Sequence, residues 1–244
     1  MVFVDGKIAS TATMIKGTER ITYSPAIEVE RGKKLVLKLE VVYEDDYLAI
    51  VNKPAGILVS GNSFKTITNA LVLNLDRSGQ VDVTKPQPVH RLDYPTTGLL
   101  LVGKTTSSIL ALNQLFQNKE IAKTYKAVTI GPMSIKGSIN QTIDVKEAES
   151  FYEVLKTVPS ARFGCLNLVK LVPTTGRRHQ LRKHLSGIGN PIFGDLEYGQ
   201  DNLILKGKGL YLHAFSLEFI HPFTHKRMHV KKNPPTKFDK IFAE

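Results

Sequence analysis

The run Leu99-Leu100-Leu101-Val102, enclosed by Gly98 and Gly103, is entered directly from the polar cluster Pro88-Val89-His90-Arg91-Leu92-Asp93-Tyr94-Pro95-Thr96-Thr97. A short branched run between glycines reads as a buried strand rather than a helix, and a buried strand fixes what precedes it. Pro88, Pro95 and the Thr-Thr-Gly step keep the cluster extended or turning, so His90, Arg91 and Asp93 are predicted on a loop braced by the core strand. Arg91 and Asp93 are two residues apart and leave an extended chain on the same face. That spacing suits a carboxylate beside a cation at a site, and equally a solvated ion pair at the start of a strand.

The rest of the chain reads as many strands and few helices. An acidic turn at Glu44-Asp45-Asp46 precedes a short apolar strand ending at Lys53-Pro54, where Lys53 beside the Ala55-Gly56 turn could meet a phosphate. Ile67, Ala70, Leu71 and Leu75 predict one short helix from Thr66. Residues 80–88 read as a loop. Thr106 or Ser107 caps a second helix running to Asn118, whose apolar face is Ile109, Leu112, Leu115 and Phe116. Residues 121–131 alternate strongly, with Lys123 and Tyr125 on one face. Further strands are predicted at 138–145, 151–158, 163–172, 210–220 and 227–231, with turns at 147–149, 159–160, 206–209 and 221–225. This pattern predicts an α+β fold, a mixed and largely antiparallel sheet flanked by a few helices.

At 244 residues the chain can bury a sizeable core, and 42% hydrophobic with 23% charged residues is ordinary for a globular protein. Lys and Arg number 33 against 22 Asp and Glu, a formal charge of +11, which points to a polyanionic partner such as nucleic acid. Cys165 is the single cysteine, so no intrachain disulfide can form. The first residues show no basic-then-apolar leader and no stretch reaches membrane-spanning length, so a cytoplasmic location with no membrane partner is expected.

A second polar cluster, Thr174-Thr175-Gly176-Arg177-Arg178-His179-Gln180-Leu181-Arg182-Lys183-His184-Leu185, leads to Pro191-Ile192-Phe193-Gly194-Asp195. A helix over Arg178–Ser186 turns Leu181 and Leu185 to the core and sets Arg178 and Arg182 along the edge of that stripe. A partly buried arginine needs an anion, and Asp93 or an RNA phosphate could supply it. His221, His225 and His229 recur every four residues, which raises a metal site, but Pro222 and the surrounding β-alternation favour a hairpin turn and no zinc signature accompanies them.

Three ordered blocks carry a resemblance to a known family: Glu44-Asp45-Asp46 through Gly56, His90-Arg91-Leu92-Asp93 through Leu101, and Gly176 through Arg182 with Pro191 to Asp195. Over roughly Leu39 to Lys231 the chain resembles the RluA-type RNA pseudouridine synthases. The resemblance implies the pseudouridine synthase fold for a catalytic domain at 39–244. It implies Asp93 as the catalytic aspartate, Arg91 as the residue that displaces the target base, Tyr125 as the active-site tyrosine, and Arg182 as the arginine paired with Asp93. His90, Lys53, Arg178, His179 and Gln180 are expected to bind RNA. Thr97 and Arg178 depart from the family's commoner serine and threonine. The implied reaction is isomerisation of uridine in ribosomal or transfer RNA, with no cofactor or metal; the S4-like character of the first residues tilts the preference to ribosomal RNA, and a monomer is the default. A non-catalytic RNA-binding or ribosome-assembly protein is the rival reading. Residues 1–38 read as a small β-rich unit, in which a strand at Ile27-Glu28-Val29-Glu30 leads into a turn at Arg31-Gly32-Lys33; it resembles the closing half of an S4 RNA-binding domain, or is a plain β-extension.

Overall fold

A computed structural model describes residues 2–10, 12–23, 34–204 and 207–243. The chain separates into two compact units, Met1–Lys33 and Lys34–Glu244. In the smaller unit β1 (Val2–Val4), β2 (Lys7–Ile8) and β3 (Ile21–Tyr23) form an antiparallel sheet in the order β2-β1-β3. The strand and turn expected at 27–33 lie outside the described residues. Leu35 and Leu37, which the sequence reading placed with the N-terminal unit, pack against the core of the larger one.

The larger unit runs β4 (Glu40–Glu44), β5 (Leu48–Lys53), α1 (Ile67–Leu71), β6 (Val83–Pro88), β7 (Thr97–Thr105), α2 (Thr106–Gln117) and β8 (Ala122–Ile130). It continues with β9 (Lys136–Asn140), β10 (Glu149–Ser160), β11 (Gly164–Pro173), α3 (Gln180–Gly187), β12 (Leu212–Ile220), β13 (Arg227–Lys231) and α4 (Asp239–Phe242). One sheet takes the order β4-β5-β7-β12-β8-β11-β10-β9, with β13 paired to β12 and β6 paired to β7. The β7–β12 pairing is parallel and the other pairings are antiparallel.

Strand β7 explains its own composition. Leu100 and Val102 pack with α1 on one face, while Leu99 and Leu101 pack with Leu112 of α2 on the other. A strand covered on both faces needs apolar residues without alternation, as seen here. Thr105, rather than Thr106 or Ser107, caps α2, and its exchange of bonds with Ser108 closes the first turn.

Four local expectations are corrected. Residues 83–88 form strand β6 although they hold Pro86 and Pro88, because the strand pairs only with β7 and proline is tolerated at such an edge. Strand β9 stops at Asn140, since Asp144 and Val145 take left-handed backbone angles in a tight turn closed between Ile143 and Lys146. Strand β10 continues through Pro159, which pairs with Cys165, so the turn falls later than expected. Helix α3 starts at Gln180 and leaves Arg178 on the preceding loop.

The seam between β7 and β12 depends on Gly98. Its φ is +115°, and a Cβ there would lie 2.3 Å from the Ala214 carbonyl oxygen. Across the same seam the Thr97 hydroxyl meets His213 Nδ1 at 2.7 Å, while His213 Nε2 meets the Lys232 carbonyl at 3.0 Å. A carbonyl only accepts, so Nε2 carries the proton and Nδ1 accepts from Thr97. Burial, helped by Lys126 and Lys232, pushes the His213 pKa down to about 4.

Two outcomes follow from the seam. Gly98→Ala is expected to destabilise the fold by about 3 kcal/mol or more, because both the backbone angle and the close approach exclude a methyl group; urea denaturation measures this. The unfolded chain protonates His213 near pH 6.5 and the folded chain resists until about pH 4. Its stabilising share is therefore intact above pH 6.5 and is lost, to roughly 3 kcal/mol, as pH falls through that window. His213→Asn should be less stable at neutral pH and should flatten the urea midpoint against pH between those values.

Candidate active site

The loop between β6 and β7 carries Asp93 and is held at several points. His90 Nε2 accepts the Leu101 amide at 2.9 Å, and Leu92 is buried in the core. Lys53 Nζ donates to the carbonyls of Pro54, Tyr94 and Thr96 at 2.9, 3.2 and 2.9 Å. With Leu92 turned inward, Arg91 and Asp93 both face a cavity of about 770 Å³.

The strand register brings Tyr125 to the same place. Gly98 pairs with Ala214 of β12, and Ala214 pairs with Tyr125 of β8, so the tyrosine stands at the level of the Asp93 loop across the seam. Burial first, and then the Asp93 charge, push the Tyr125 hydroxyl pKa upward, which keeps it protonated at neutral pH. The third wall is the loop from Thr174 to His179 with the start of α3.

Asp93 lies close to two basic side chains without a hydrogen bond to either. Arg182 Nη1 is 3.8 Å from Oδ2 and His179 Nε2 is 3.7 Å from Oδ1. Arg182 thus stands at ion-pair distance from Asp93, as expected, but its hydrogen bonds go to other carboxylates. Arg182 places Nε and Nη2 on the two oxygens of Asp195, both at 2.7 Å, and Nη2 also meets Glu197 at 3.0 Å. Burial opposes the Arg182 charge, but Asp195 outweighs it, so the guanidinium pKa is raised; Asp195 is likewise lowered by Arg182 against its own burial. The fork is fully used on Asp195, which leaves Nη1 directed at Asp93.

Asp195 stood in the sequence blocks without a role, and Glu197 and Tyr198 were not singled out. The signal was Arg182 itself, since a buried arginine requires a carboxylate at close range. Tyr198 lies under the Arg182 guanidinium at 4.8 Å, and its hydroxyl is 2.9 Å from His179 Nδ1. His179 holds a left-handed backbone angle, which breaks the chain direction just before α3.

Three residues expected at RNA are drawn into the fold. Lys53 is fully buried on its three carbonyls, and burial lowers its pKa to about 8. Gln180 uses its side chain on Thr175, the Arg177 amide, the Glu149 carbonyl and Ser150. His90 is tied to β7, and burial lowers its pKa to about 3, so it stays neutral as an acceptor. Arg91 and Arg178 are exposed at the cavity wall, and His179 sits beside Asp93.

Besides the two histidines, the cavity is lined by Arg91, Lys119, Lys123, Arg177 and Arg178 as cations and by Asp93 as its one carboxylate among the described residues. Such a pocket receives a polyanion and places a single negative group against part of it that is not anionic. Among the described residues no three His, Cys, Asp or Glu side chains converge as metal ligands; His221 instead meets Asp45 at 2.9 Å. No helix among the described residues is long and apolar enough to cross a membrane.

A sheet with a central parallel seam, a lone carboxylate beside an oriented arginine, and a basic rim together fit an enzyme that acts on RNA. The chain belongs to the RluA-type RNA pseudouridylate synthase family, whose model matches residues 47–187. It is 34% identical over 231 residues to ribosomal large subunit pseudouridine synthase C of Rickettsia bellii, covering 88% of this chain and 74% of the relative. It is also 34% identical over 220 residues to tRNA pseudouridine synthase C of Haemophilus influenzae, covering 78% of this chain and 90% of the relative. The fold is that of human RNA pseudouridylate synthase domain containing 1, with a TM-score of 0.68 at 24% identity over 83% of this chain and 87% of that one.

The Asp195 clamp makes its own prediction. Asp195→Asn removes one charge of a buried pair and should cost about 3 kcal/mol in urea denaturation, the range found when one buried partner is lost. The exposed Glu197→Gln should cost well under about 1 kcal/mol by the same measurement.

Proposed function

We propose that this chain isomerises uridine to pseudouridine in ribosomal RNA with Asp93 as its catalytic carboxylate. The observation that carries the reading is Asp93 itself, free of hydrogen-bond donors among the described residues, in a cavity whose other charged walls are basic. In the reaction the N1–C1′ bond breaks, the uracil turns, and a C5–C1′ bond forms. The C5 proton is lost and N1 gains one, so product and substrate have the same composition and no redox partner or cofactor is called for. A carboxylate serves either route to bond cleavage, by adding to C1′ or by removing a proton at C2′, through the electrostatics of glycoside cleavage.

Arg182 keeps the carboxylate oriented from one side while Asp195 keeps Arg182 in place. The Tyr125 ring offers a stacking surface for the uracil, and its hydroxyl stands in the protonated form where a C5 proton has to move. Arg91, exposed on the Asp93 loop, is suited to fill the gap that the extruded base leaves. Arg178 and His179 complete the RNA-facing wall. A cytoplasmic monomer accompanies this reading.

Ribosomal RNA is preferred on the S4-like character of the first residues and on the extent of the match to the large-subunit enzyme. Transfer RNA is the second reading, favoured by the relative that acts on it. Carbodiimide labelling with primer extension, applied to total RNA from cells lacking the protein and from cells carrying Asp93→Asn, decides both questions. The same uridine should lose its modification in each, and the purified variant should still retain RNA on a filter. Modification that persists both in the cells lacking the protein and in the Asp93→Asn cells would instead favour the non-catalytic RNA-binding role.

A further inference from the structure

The roles above leave Lys119, Lys123 and Arg177 in the cavity without a task, and of these only Lys123 is half-buried. Lys123 leaves the same face of β8 as Tyr125, two residues away, and lines the same cavity. Its Nζ lies 5.8 Å from the centre of the Phe116 ring and 4.0 Å from where a side chain would begin at Gly176. The ammonium therefore reaches across the cleft from the sheet to the loop that carries Arg177 and Arg178.

The other lysines that burial desolvates are all matched. Lys53 holds three carbonyls, Lys237 holds the carbonyls of Lys208 and Leu210, and Lys126 feels Asp239 and sits over Phe215. Lys123 has the Phe116 ring and, among the described residues, no carboxylate, carbonyl or hydroxyl. Of the five Lys and Arg residues lining the cavity it alone is half-buried; Arg91, Lys119, Arg177 and Arg178 are exposed. A desolvated cation without a partner costs free energy and marks a place where an anion arrives.

The polarity of the cavity says which anion. The Asp93 charge is felt at Tyr125 and Lys53, whereas burial alone acts on Lys123. The cavity is thus negative at Asp93 and positive at the Phe116 side, where Lys123 stands. One nucleotide has that arrangement, a neutral sugar and base joined to an anionic phosphodiester. We propose that Lys123 seats a single phosphodiester of the RNA, that of the extruded nucleotide or its immediate neighbour, and so sets the register of the strand against Asp93. This rests on reading the cavity as the uridine site.

The test uses the intact protein and a transcript containing the uridine that carbodiimide mapping identifies. KM and kcat are measured for the wild type, Lys123→Met and Lys123→Arg across about 50 to 200 mM salt. Lys123→Met should raise KM about tenfold, and the slope of log KM against log salt should fall by about 0.7 to 0.9, the signature of one lost phosphate contact. Lys123→Arg should restore the slope. Lys123→Met should also unfold at an equal or higher urea concentration than the wild type, which a structural lysine would not do. An unchanged slope, or a loss carried by kcat alone, overturns the phosphate seat. A wild-type chain that forms no pseudouridine overturns the reading beneath it instead.

Discussion

The parallel contact of β7 with β12 is the constraint on which the site depends. It joins the β4-β5-β7 side of the sheet to the β12-β8-β11-β10-β9 side, and it closes only because Gly98 brings its backbone against Ala214. The Asp93 loop enters β7 at this point, and Tyr125 lies one strand beyond Ala214. Carboxylate and tyrosine come from distant parts of the sequence, yet a rigid strand register sets their positions. Loops alone would hold them less firmly.

Around that frame, electrostatics are arranged in two layers. The Asp93 carboxylate is left without close donors, and the arginine beside it is spent on a second carboxylate. This separates orientation from neutralisation. Arg182 is held by Asp195 whatever happens at Asp93, so Asp93 need not also serve as a structural anchor. Lys53 does comparable work on the backbone, using a buried ammonium to gather the Tyr94 and Thr96 carbonyls of the loop together with that of Pro54, groups that a helix or strand would otherwise have satisfied.

Much of this was legible in the sequence, and the illegible parts share a cause. The Leu99–Val102 strand, the α2 face, the alternation around Tyr125 and the α3 stripe follow from local periodicity, and each is present. Strand β6 was hidden because its prolines look like a loop unless the edge position is known. The Asp195 clamp was hidden because a bidentate pair is a property of two segments meeting in space. Lys53, His90 and Gln180 looked like RNA contacts, since polar residues near a motif suggest a surface; only the packing shows that their polar atoms are consumed by buried backbone and side-chain partners. Tertiary context decides whether a polar residue is a tool or a brace.

The basic walls of the cavity carry a consequence for turnover. Isomerisation changes neither the charge of the RNA nor its backbone, so the cations that capture the substrate hold the product by the same contacts. Release has no chemical trigger, because nothing in the reaction weakens those contacts. Ionic strength then acts on the two ends of the cycle in opposite directions, slowing capture and easing departure, and the rate through the whole cycle passes through an optimum set by the five Lys and Arg residues around one carboxylate.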